Sequence, residues 1–315
     1  MTALPTGPAT GARPAPTTDV RPLDADRAWR SLRGIRTPAD AGAAGLVTGE
    51  DGRPRWRNGS PEADDLARRY LPLCLAGPHV TFAQLGQSLD GFIATRTGDA
   101  DYVTGEEDRA HLHHLRALAD AVVVGAGTAV ADDPRLTVRA CPGDNPVRVV
   151  LDPRGRVPAG HRVFTDGEAP TLWVVGAGGG HARAVAGRRT GTGTVDVLEL
   201  PDRDAFAPRA LVRHLARRGL GRVLVEGGGV TVSRFLREGA LHRLYVTVAP
   251  VLLGDGVPGL AFPGPERMRD ALRPPTRRTL LGDDTLFELD LGTPRPGEPV
   301  GHQYTGAGQA RGEAQ

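Results

Sequence analysis

Three glycines join an apolar segment to an amphipathic one in the sequence VLVEGGGVTVSRFL. The pattern predicts a strand that ends at Glu226 and a helix that begins within the glycines. Because backbone amides at a helix N-terminus attract anions, the loop after Glu226 is a candidate phosphate site. Two other glycine segments, GAGTAV from Gly125 and GAGGGH from Gly176, lack the third glycine of a dinucleotide-binding fingerprint. We expect both to be tight strand exits.

Two further groups of polar residues are candidates for binding. Glu226 stands at a strand end, where α/β sheets place ligand-binding side chains, although an ordinary surface carboxylate is the alternative. Arg109, His113 and Arg116 share one face of a predicted helix. A solvated polar stripe would explain this face, and so would a phosphate-binding surface, since arginine binds phosphate through two hydrogen bonds.

Several kinds of catalytic site are disfavoured. His111 and His114 are spaced i, i+3, but no nearby carboxylate or cysteine completes a metal site, so no metal is predicted. Ser88 lies in GQSLD rather than in G-x-S-x-G, which disfavours a serine hydrolase. No H-x-E followed by P-C-x-x-C occurs, which disfavours a zinc deaminase.

The elements that must position these residues alternate from residue 79 onward. Strand candidates are HVTFAQLGQ, AVVVG, VRVVLD, TLWVVG, VDVLEL, RVLVEG, RLYVTVAPVLL, RRTLL and TLFELDL. Helices between several of them predict an α/β fold with a mostly parallel sheet, and the last two strands predict an antiparallel edge. In the clearest helix, TGEEDRAHLHHLRALADA, we expect Thr104 and Glu107 to form a capping box and leucines to form the buried face.

The predicted domain organisation has four parts. Residues 1–22 and 292–315 lack apolar periodicity and are expected to be disordered. Residues 23–78 are predicted to form two short helices joined by a turn-rich segment, and residues 79–291 the main α/β domain.

Composition narrows the class of protein. The chain has 315 residues and a formal net charge of +2, and all its strong bases are arginine, without the clustered basic stripe of a nucleic-acid-binding protein. Two cysteines, Cys74 and Cys141, disfavour a disulfide scaffold. The N-terminus resembles no export signal, and no apolar run reaches the ~20 residues of a membrane helix. We expect a cytoplasmic protein with no nucleic-acid or membrane partner.

The order of several motifs resembles the reductase domain of riboflavin biosynthesis. That domain forms the C-terminal half of a bifunctional deaminase/reductase and is a stand-alone enzyme in archaea and fungi. The motifs are QSLDGFIAT, YVTGEED, HHLRALADAVVVGAGTAVADDPRLTVR, NPVRVVLDP, VLVEGGG and YVTVAPVLLG. The resemblance covers about residues 79–290 and leaves the first 78 residues unexplained.

The resemblance implies a dihydrofolate-reductase-like fold, NADPH as cofactor and a homodimer. The implied reaction reduces the ribose of a ribosylaminopyrimidinone 5′-phosphate to a ribityl chain by hydride transfer to C1′. The implied catalytic residues are Asp132 and Glu226. The implied NADPH contacts are Gly86, Tyr102, Thr128, Asp132, Gly228, Gly229, Val230 and Thr231. The implied substrate contacts are Gln84, Arg116, Leu136, Arg139 and Glu226, with the two arginines suited to the 5′-phosphate.

Two departures from the family pattern keep other functions open. Gln84 stands where the bifunctional bacterial enzymes have a lysine, and Ala100 where they commonly have a serine that contacts substrate. A reductase of the same fold that acts on another pterin or pyrimidine is one alternative. A non-catalytic NADPH-binding protein, with residues 24–78 as a regulatory cap, is the other.

Overall fold

The computed structural model describes residues 21–101, 103–178, 186–187, 189–191 and 193–292. Residues 1–20 and 293–315, which include most of the ends expected to be disordered, lie outside the described residues. Tyr102, an expected cofactor contact, also lies outside them.

Residues 23–78, called the N-terminal extension below, fold into three helices and a hairpin. Their bounds are α1 Ala25–Gly34, α2 Pro38–Ala43, β1 Leu46–Thr48, β2 Pro54–Trp56 and α3 Pro61–Cys74. The side chains of Asp24, Thr37 and Ser60 cap the three helices by accepting hydrogen bonds from first-turn amides. The two helices expected from the sequence are confirmed as α1 and α3, while the hairpin was not predicted.

One ten-stranded sheet forms the centre of the molecule, in the order β13-β14-β11-β3-β10-β5-β6-β7-β9-β8. Seven neighbouring strands are parallel: β3 Val80–Ser88, β5 Ala121–Gly125, β6 Val147–Asp152, β7 Thr171–Gly176, β9 Gly193–Leu200, β10 Arg222–Glu226 and β11 Arg243–Ala249. The antiparallel strands are β8 Arg189–Thr190, β13 Thr276–Leu281 and β14 Asp284–Asp290. The predicted mostly parallel sheet with an antiparallel edge is therefore confirmed. A separate short pair joins β4 Phe92–Ala94 to β12 Val257–Pro258.

Helices cover both faces of the sheet. They are α4 Glu106–Ala117, α5 Ala126–Asp132, α6 Arg162–Thr165, α7 Pro208–Ala216 and α8 Gly229–Arg237. Helices α7 and α8 bury one apolar face of the sheet, whereas α4, α5, α6 and the N-terminal extension share the core on the other face. No helix among the described residues is long and apolar enough to cross a membrane.

The start of α4 differs from the predicted capping box. Gly105 is the N-cap, and its amide donates to Asp284 Oδ2 at 2.7 Å. Thr104 Oγ1 instead donates to Asp108 Oδ2 at 2.7 Å, and Glu107 lies against Gly282. The expected pairing of Thr104 with Glu107 was wrong because the Thr104 hydroxyl is bonded to Asp108, and the distant residues Asp284 and Gly282 contact Gly105 and Glu107.

Candidate active site

The middle of β3 and the carboxyl end of β10 bring two predicted substrate contacts side by side. Gln84 and Glu226 are register partners in these parallel strands, and both residues are buried. Their side chains reach toward α4, where Asp108 and Arg116 are their partners. The helix therefore crosses the strand ends and contacts both predicted residues.

Arg116 and Glu226 form a buried ion pair with two parallel hydrogen bonds. Arg116 Nε donates to Glu226 Oε1 and Nη2 donates to Oε2, each at 2.7 Å. Arg116 Nη1 also donates to the carbonyl oxygen of Thr137 at 3.0 Å. Burial alone would lower the pKa of Arg116, but the charge and hydrogen bonds of Glu226 raise it. The two hydrogen bonds thus fix the orientation of both side chains.

Much of the polar face of α4 is buried. The interpretation of this face as a solvated polar stripe was therefore wrong for its buried part. Arg116 and His113 are buried, whereas Arg109 is exposed and lies 3.7 Å from Glu106. The difference follows from position, because the C-terminal half of α4 lies over the end of β10.

Asp108 is a site residue that the sequence did not reveal. Its carboxylate accepts hydrogen bonds from Gln84 Nε2 at 3.2 Å, Thr104 Oγ1 at 2.7 Å and Thr247 Oγ1 at 2.5 Å. Burial raises the pKa of this carboxyl against the opposing effect of these donors. An acid in the first turn of a helix is typical of a solvated residue that stabilises the helix dipole, so its position carried no signal.

Positive charge gathers around Arg139 on the segment that follows α5. Its amide donates to His113 Nδ1 at 3.0 Å, and its Nη1 donates to Thr137 Oγ1 at 2.7 Å. Burial lowers the pKa of Arg139, and the charges of Arg116 and Arg135 lower it further. Within the described part of the chain, no carboxylate forms an ion pair with Arg139. An anion bound here would relieve the repulsion among these cations.

The same surroundings hold His113 in its neutral form. Burial, followed by the charges of Arg116 and Arg139, lowers the pKa of His113 to about 4. The neutral ring can accept the hydrogen bond from the Arg139 amide through Nδ1.

The segment between α5 and Arg139 has a strained backbone. Asp133 and Leu136 have φ angles of 40° and 55°, in the left-handed region that residues other than glycine rarely adopt. Leu136 is nonetheless buried. Strain of this kind is common where a backbone must present groups to a ligand.

The predicted cofactor residues of β5 and β10 come together at the ends of these strands. The Gly228 amide donates to Thr128 Oγ1 at 2.9 Å. A Cβ at Gly125 would lie 2.5 Å from Thr231 Oγ1, so the two strand exits touch. A Cβ at Gly229 would overlap the carbonyl oxygens of Pro258 and Gly259. Both loops therefore need glycine for close packing.

Other predicted cofactor residues surround this contact less tightly. Val230 is 83% exposed. Val130 of α5, which was not among the predicted contacts, is 45% exposed. Gly86 lies against Thr104 and Asp108. Asp132 ends α5 and is exposed as a residue, yet desolvation of its carboxyl raises its pKa, and the charge of Asp101 raises it further.

The histidine pair of α4 serves packing. His111 Nδ1 is hydrogen-bonded to Tyr70 Oη at 2.8 Å, and His114 Nδ1 lies 2.7 Å from the Ala110 carbonyl oxygen. The residues that the structure describes contain no cluster of three or more His, Cys, Asp or Glu side chains able to hold a metal ion.

A surface cavity of about 570 Å³ lies between the N-terminal extension and the main domain. Of the described residues that line it, none belongs to the predicted site; among them are Trp29, His114 and Cys141. The strand ends, rather than this cavity, carry the candidate chemistry.

Parallel sheets bind nucleotides beyond the carboxyl ends of their strands, and the candidate site of this α/β protein lies where β10 ends. The sequence model of the RibD C-terminal domain matches residues 78–274, and the chain belongs to this family.

Known relatives agree with this assignment. The chain is 37% identical over 216 residues to the 2,5-diamino-6-ribosylamino-4(3H)-pyrimidinone 5′-phosphate reductase of Methanothermobacter thermautotrophicus, covering 65% of this chain and 94% of that protein. It is 36% identical over 181 residues to the riboflavin biosynthesis protein RibD of Aquifex aeolicus, covering 57% of this chain but only 48% of that protein. The structure of Acinetobacter baumannii RibD matches with a TM-score of 0.57 and 27% identity, covering 73% of this chain and 62% of that one. The resemblance noted from the sequence is thus confirmed.

Proposed function

We propose that the protein reduces the ribose of a ribosylaminopyrimidinone 5′-phosphate to the ribityl form, with NADPH as the hydride donor. The observation that carries the proposal is the convergence of Gln84, Glu226 and the phosphate-competent Arg139 beside the Thr128–Gly228 contact. Its support from relatives is the name of the archaeal reductase, which the chain matches over almost its full length.

The strand exits fit a dinucleotide. At the start of α8 the Thr231 amide donates to the Gly228 carbonyl oxygen at 3.0 Å, while the Gly229 and Val230 amides are placed to receive a pyrophosphate. The exposed side chains of Val130 and Val230 offer apolar surface on either side. When bound, the nicotinamide would supply the hydride that reaches C1′ of the substrate. We assign Gly86, Thr128, Asp132 and residues 228–231 to this cofactor, with Tyr102 as a further contact.

The protein's own residues bind and orient the substrate. Each oxygen of Glu226 accepts one hydrogen bond from Arg116, so the carboxylate retains capacity to accept from N–H groups of the pyrimidine. Arg139 would bind the 5′-phosphate, since its charge has no carboxylate partner among the described residues. Leu136 and Gln84 would line the rest of the substrate site. Gln84 is held in place there by its hydrogen bond to Asp108.

Asp132 and Glu226 are the acidic groups that we place at the reacting centre. The raised pKa of Asp132 reflects a partly desolvated carboxyl, suited to a polar contact with the cofactor ribose. Catalysis then depends mainly on holding the two reactants together and excluding water.

An anaerobic assay with NADPH tests the proposal. The deaminated and the 2,5-diamino ribosylaminopyrimidinone phosphates are offered separately, with dihydrofolate as a third substrate. We expect NADPH oxidation with one of the two pyrimidines, and a product that has gained two hydrogens by mass. Turnover of dihydrofolate alone would favour a reductase for another substrate, and NADPH binding without any turnover would favour a non-catalytic protein.

We also propose a cytoplasmic homodimer, as the family resemblance implies. Leu252, Phe262 and Met268 are large apolar side chains exposed on one connecting segment, and Cys74 and Cys141 are both free thiols. Light scattering on the purified protein should give twice the chain mass of 33.2 kDa.

A further inference from the structure

The N-terminal extension contacts the two elements that carry Arg116 and Arg139. The family match begins at residue 78, so these contacts lie outside the pattern that the family defines. The first contact is with the outer face of α4. Trp29 packs edge-on against His114 with ring centroids 4.3 Å apart, and Tyr70 is hydrogen-bonded to His111.

The second contact is with the segment that follows Arg139. Trp29 Nε1 donates to the Pro142 carbonyl oxygen at 2.7 Å. Arg33 forms an ion pair with Asp144 at 2.7 Å. Both contacts come from α1, so this single helix of the extension contacts residues 138–145 at two positions.

This segment is a closed loop that packs on the end of α4. Asn145 Oδ1 accepts a hydrogen bond from the Val138 amide at 2.7 Å, which joins the two ends of the loop. A Cβ at Gly143 would lie 2.5 Å from the Cβ of Ala117, so the loop lies directly on the helix. A displacement of Pro142 would therefore be transmitted to Arg139, which lies within the same closed loop.

Arg139 needs such support. The charges of Arg116 and Arg135 disfavour its guanidinium more strongly than those of Glu168 and Glu226 favour it. These two carboxylates form ion pairs with Arg135 and Arg116, and no carboxylate of the described residues forms one with Arg139. A flexible arginine in this field would move away from its cationic neighbours toward solvent. The hydrogen bond that the Arg139 amide donates to His113 Nδ1, together with the loop held by Trp29, fixes the backbone from which the Arg139 side chain extends.

We propose that the N-terminal extension positions Arg139 for the substrate's phosphate group, and that Trp29 is the positioning residue. The inference rests on the proposed function for the identity of the substrate. It assigns the extension to substrate binding rather than to a separate regulatory role.

The variant Trp29→Phe tests this directly, because phenylalanine keeps an aromatic ring against His114 but cannot donate to Pro142. We expect the KM for the phosphorylated pyrimidine to rise about tenfold, because small displacements of a binding group weaken binding by factors of this order. The KM for NADPH and for the phosphate-free pyrimidine nucleoside should stay unchanged.

Trp56→Phe is the matched control. Trp56 is also a buried tryptophan of the extension, but its Nε1 donates to the Ala63 carbonyl oxygen within the extension itself. We expect this variant to keep the wild-type KM for the phosphorylated substrate. Equal effects of the two variants, or an equal rise of KM for both forms of the substrate in Trp29→Phe, would overturn the inference.

A second pair of variants tests the inference even if Trp29→Phe fails to fold. Arg33→Gln removes the ion pair with Asp144 at the surface, and Arg30→Gln alters an exposed arginine of the same helix. We expect a smaller rise in the KM for the phosphorylated substrate, about threefold, in Arg33→Gln alone, because an exposed pair contributes little. No difference between these two variants would also count against the inference.

Binding of D-ribose 5-phosphate separates this inference from the proposed function. Calorimetry should show binding to the wild type and to Trp56→Phe, and about tenfold weaker binding to Trp29→Phe. If the wild type binds D-ribose 5-phosphate but reduces no pyrimidine, the proposed function is wrong. The positioning role is then judged from the binding of this probe alone. Equal binding by all three proteins, or no binding by the wild type, would reject the positioning role.

Discussion

The ion pair between Arg116 and Glu226 changes how the two predicted phosphate arginines are understood. Two hydrogen bonds commit Arg116 to Glu226, so its charge is largely neutralised within the site. Arg139 keeps its charge among cationic neighbours. Arg139 is therefore the stronger candidate for the proposed phosphate site, and Arg116 orients the carboxylate of Glu226.

Replacing Arg139 with alanine should weaken binding of the phosphorylated substrate. A hydrogen bond to a charged group contributes ~1.5–3 kcal/mol, so we expect KM to rise about tenfold or more with little change in the KM for NADPH. Steady-state kinetics on the phosphorylated and phosphate-free substrates would measure this. An unchanged KM would remove Arg139 from the phosphate site.

Replacing Arg116 with methionine should instead affect stability. The change leaves the Glu226 carboxylate buried without its partner, which costs about 3–5 kcal/mol in comparable ion pairs. Urea unfolding of Arg116→Met should show this loss, and the double variant Arg116→Met with Glu226→Leu should recover most of it. A single variant as stable as the wild type would show that the pair is solvated in solution.

The neutral state of His113 predicts a dependence of stability on pH. Its pKa is about 4 in the folded protein and ordinarily 6.5, so the unfolded chain binds more protons between these values. The contribution of His113 is complete above pH 6.5 and is lost as pH falls toward 4. In His113→Asn, which keeps an acceptor for the Arg139 amide, the unfolding free energy should fall less steeply over this range, by at most about 1.4 kcal/mol per pH unit. His111 and His114 also have lowered pKa values and remain in the variant, so they do not affect the comparison.

At the scale of elements, the contact between the two strand exits should be sensitive to a single methyl group. In Gly229→Ala the new Cβ would overlap the backbone of residues 258–259, so α8 must shift away from its position beside Thr128. We expect a higher KM for NADPH and a lower melting temperature.

Gly127→Ala is the control for that change, because no atom lies within 4 Å of a Cβ placed there on α5. Alanine in a helix is more favourable than glycine by roughly 0.5–1 kcal/mol, so this variant should be slightly more stable and bind NADPH normally. Similar losses in both variants would mean that the close packing of Gly229 is not what holds the cofactor loop.

The elements themselves could largely be predicted from the sequence. Every strand candidate from HVTFAQLGQ to TLFELDL corresponds to a strand of the sheet, because each short apolar run is bounded by turn residues. The run RLYVTVAPVLL is shorter than expected, and its strand ends at Ala249 before Pro250. The GAGTAV segment is confirmed as a strand exit, since β5 ends at Gly125 and α5 begins at once.

The geometry within the site could not be predicted in the same way. Asp108, Gln84 and Thr247 form one hydrogen-bonded group, yet Thr247 lies 139 residues beyond Asp108 in the chain. Local patterns carry no information on such distant pairs. Resemblance to the family implied that Arg116 and Glu226 contact substrate, but their mutual ion pair forms only because α4 lies over β10.

At the scale of the whole molecule, the N-terminal extension and the sheet share one apolar core. Trp29, Leu32 and Tyr70 of the extension belong to the same buried cluster as Phe82 and Leu115 of the main domain. We therefore expect the two parts to unfold together rather than as separate domains.

The three tryptophans allow this to be measured. Trp29 and Trp56 lie in the extension and Trp173 in the sheet, so Trp173→Phe confines the fluorescence signal to the extension. In urea, the midpoint from this signal should coincide with the midpoint from circular dichroism of the same variant. An earlier fluorescence transition would show that the extension opens independently, and would weaken its proposed role in holding Arg139.

The destination of the hydride tests the central claim most directly. NADPH carrying deuterium at the transferable C4 position is incubated anaerobically with the ribosylaminopyrimidinone phosphate, and the product is analysed by mass spectrometry and NMR. We expect one deuterium per turnover at C1′ of a newly formed ribityl chain. Deuterium in the pyrimidine ring, or oxidation of NADPH with the ribose left intact, would contradict it.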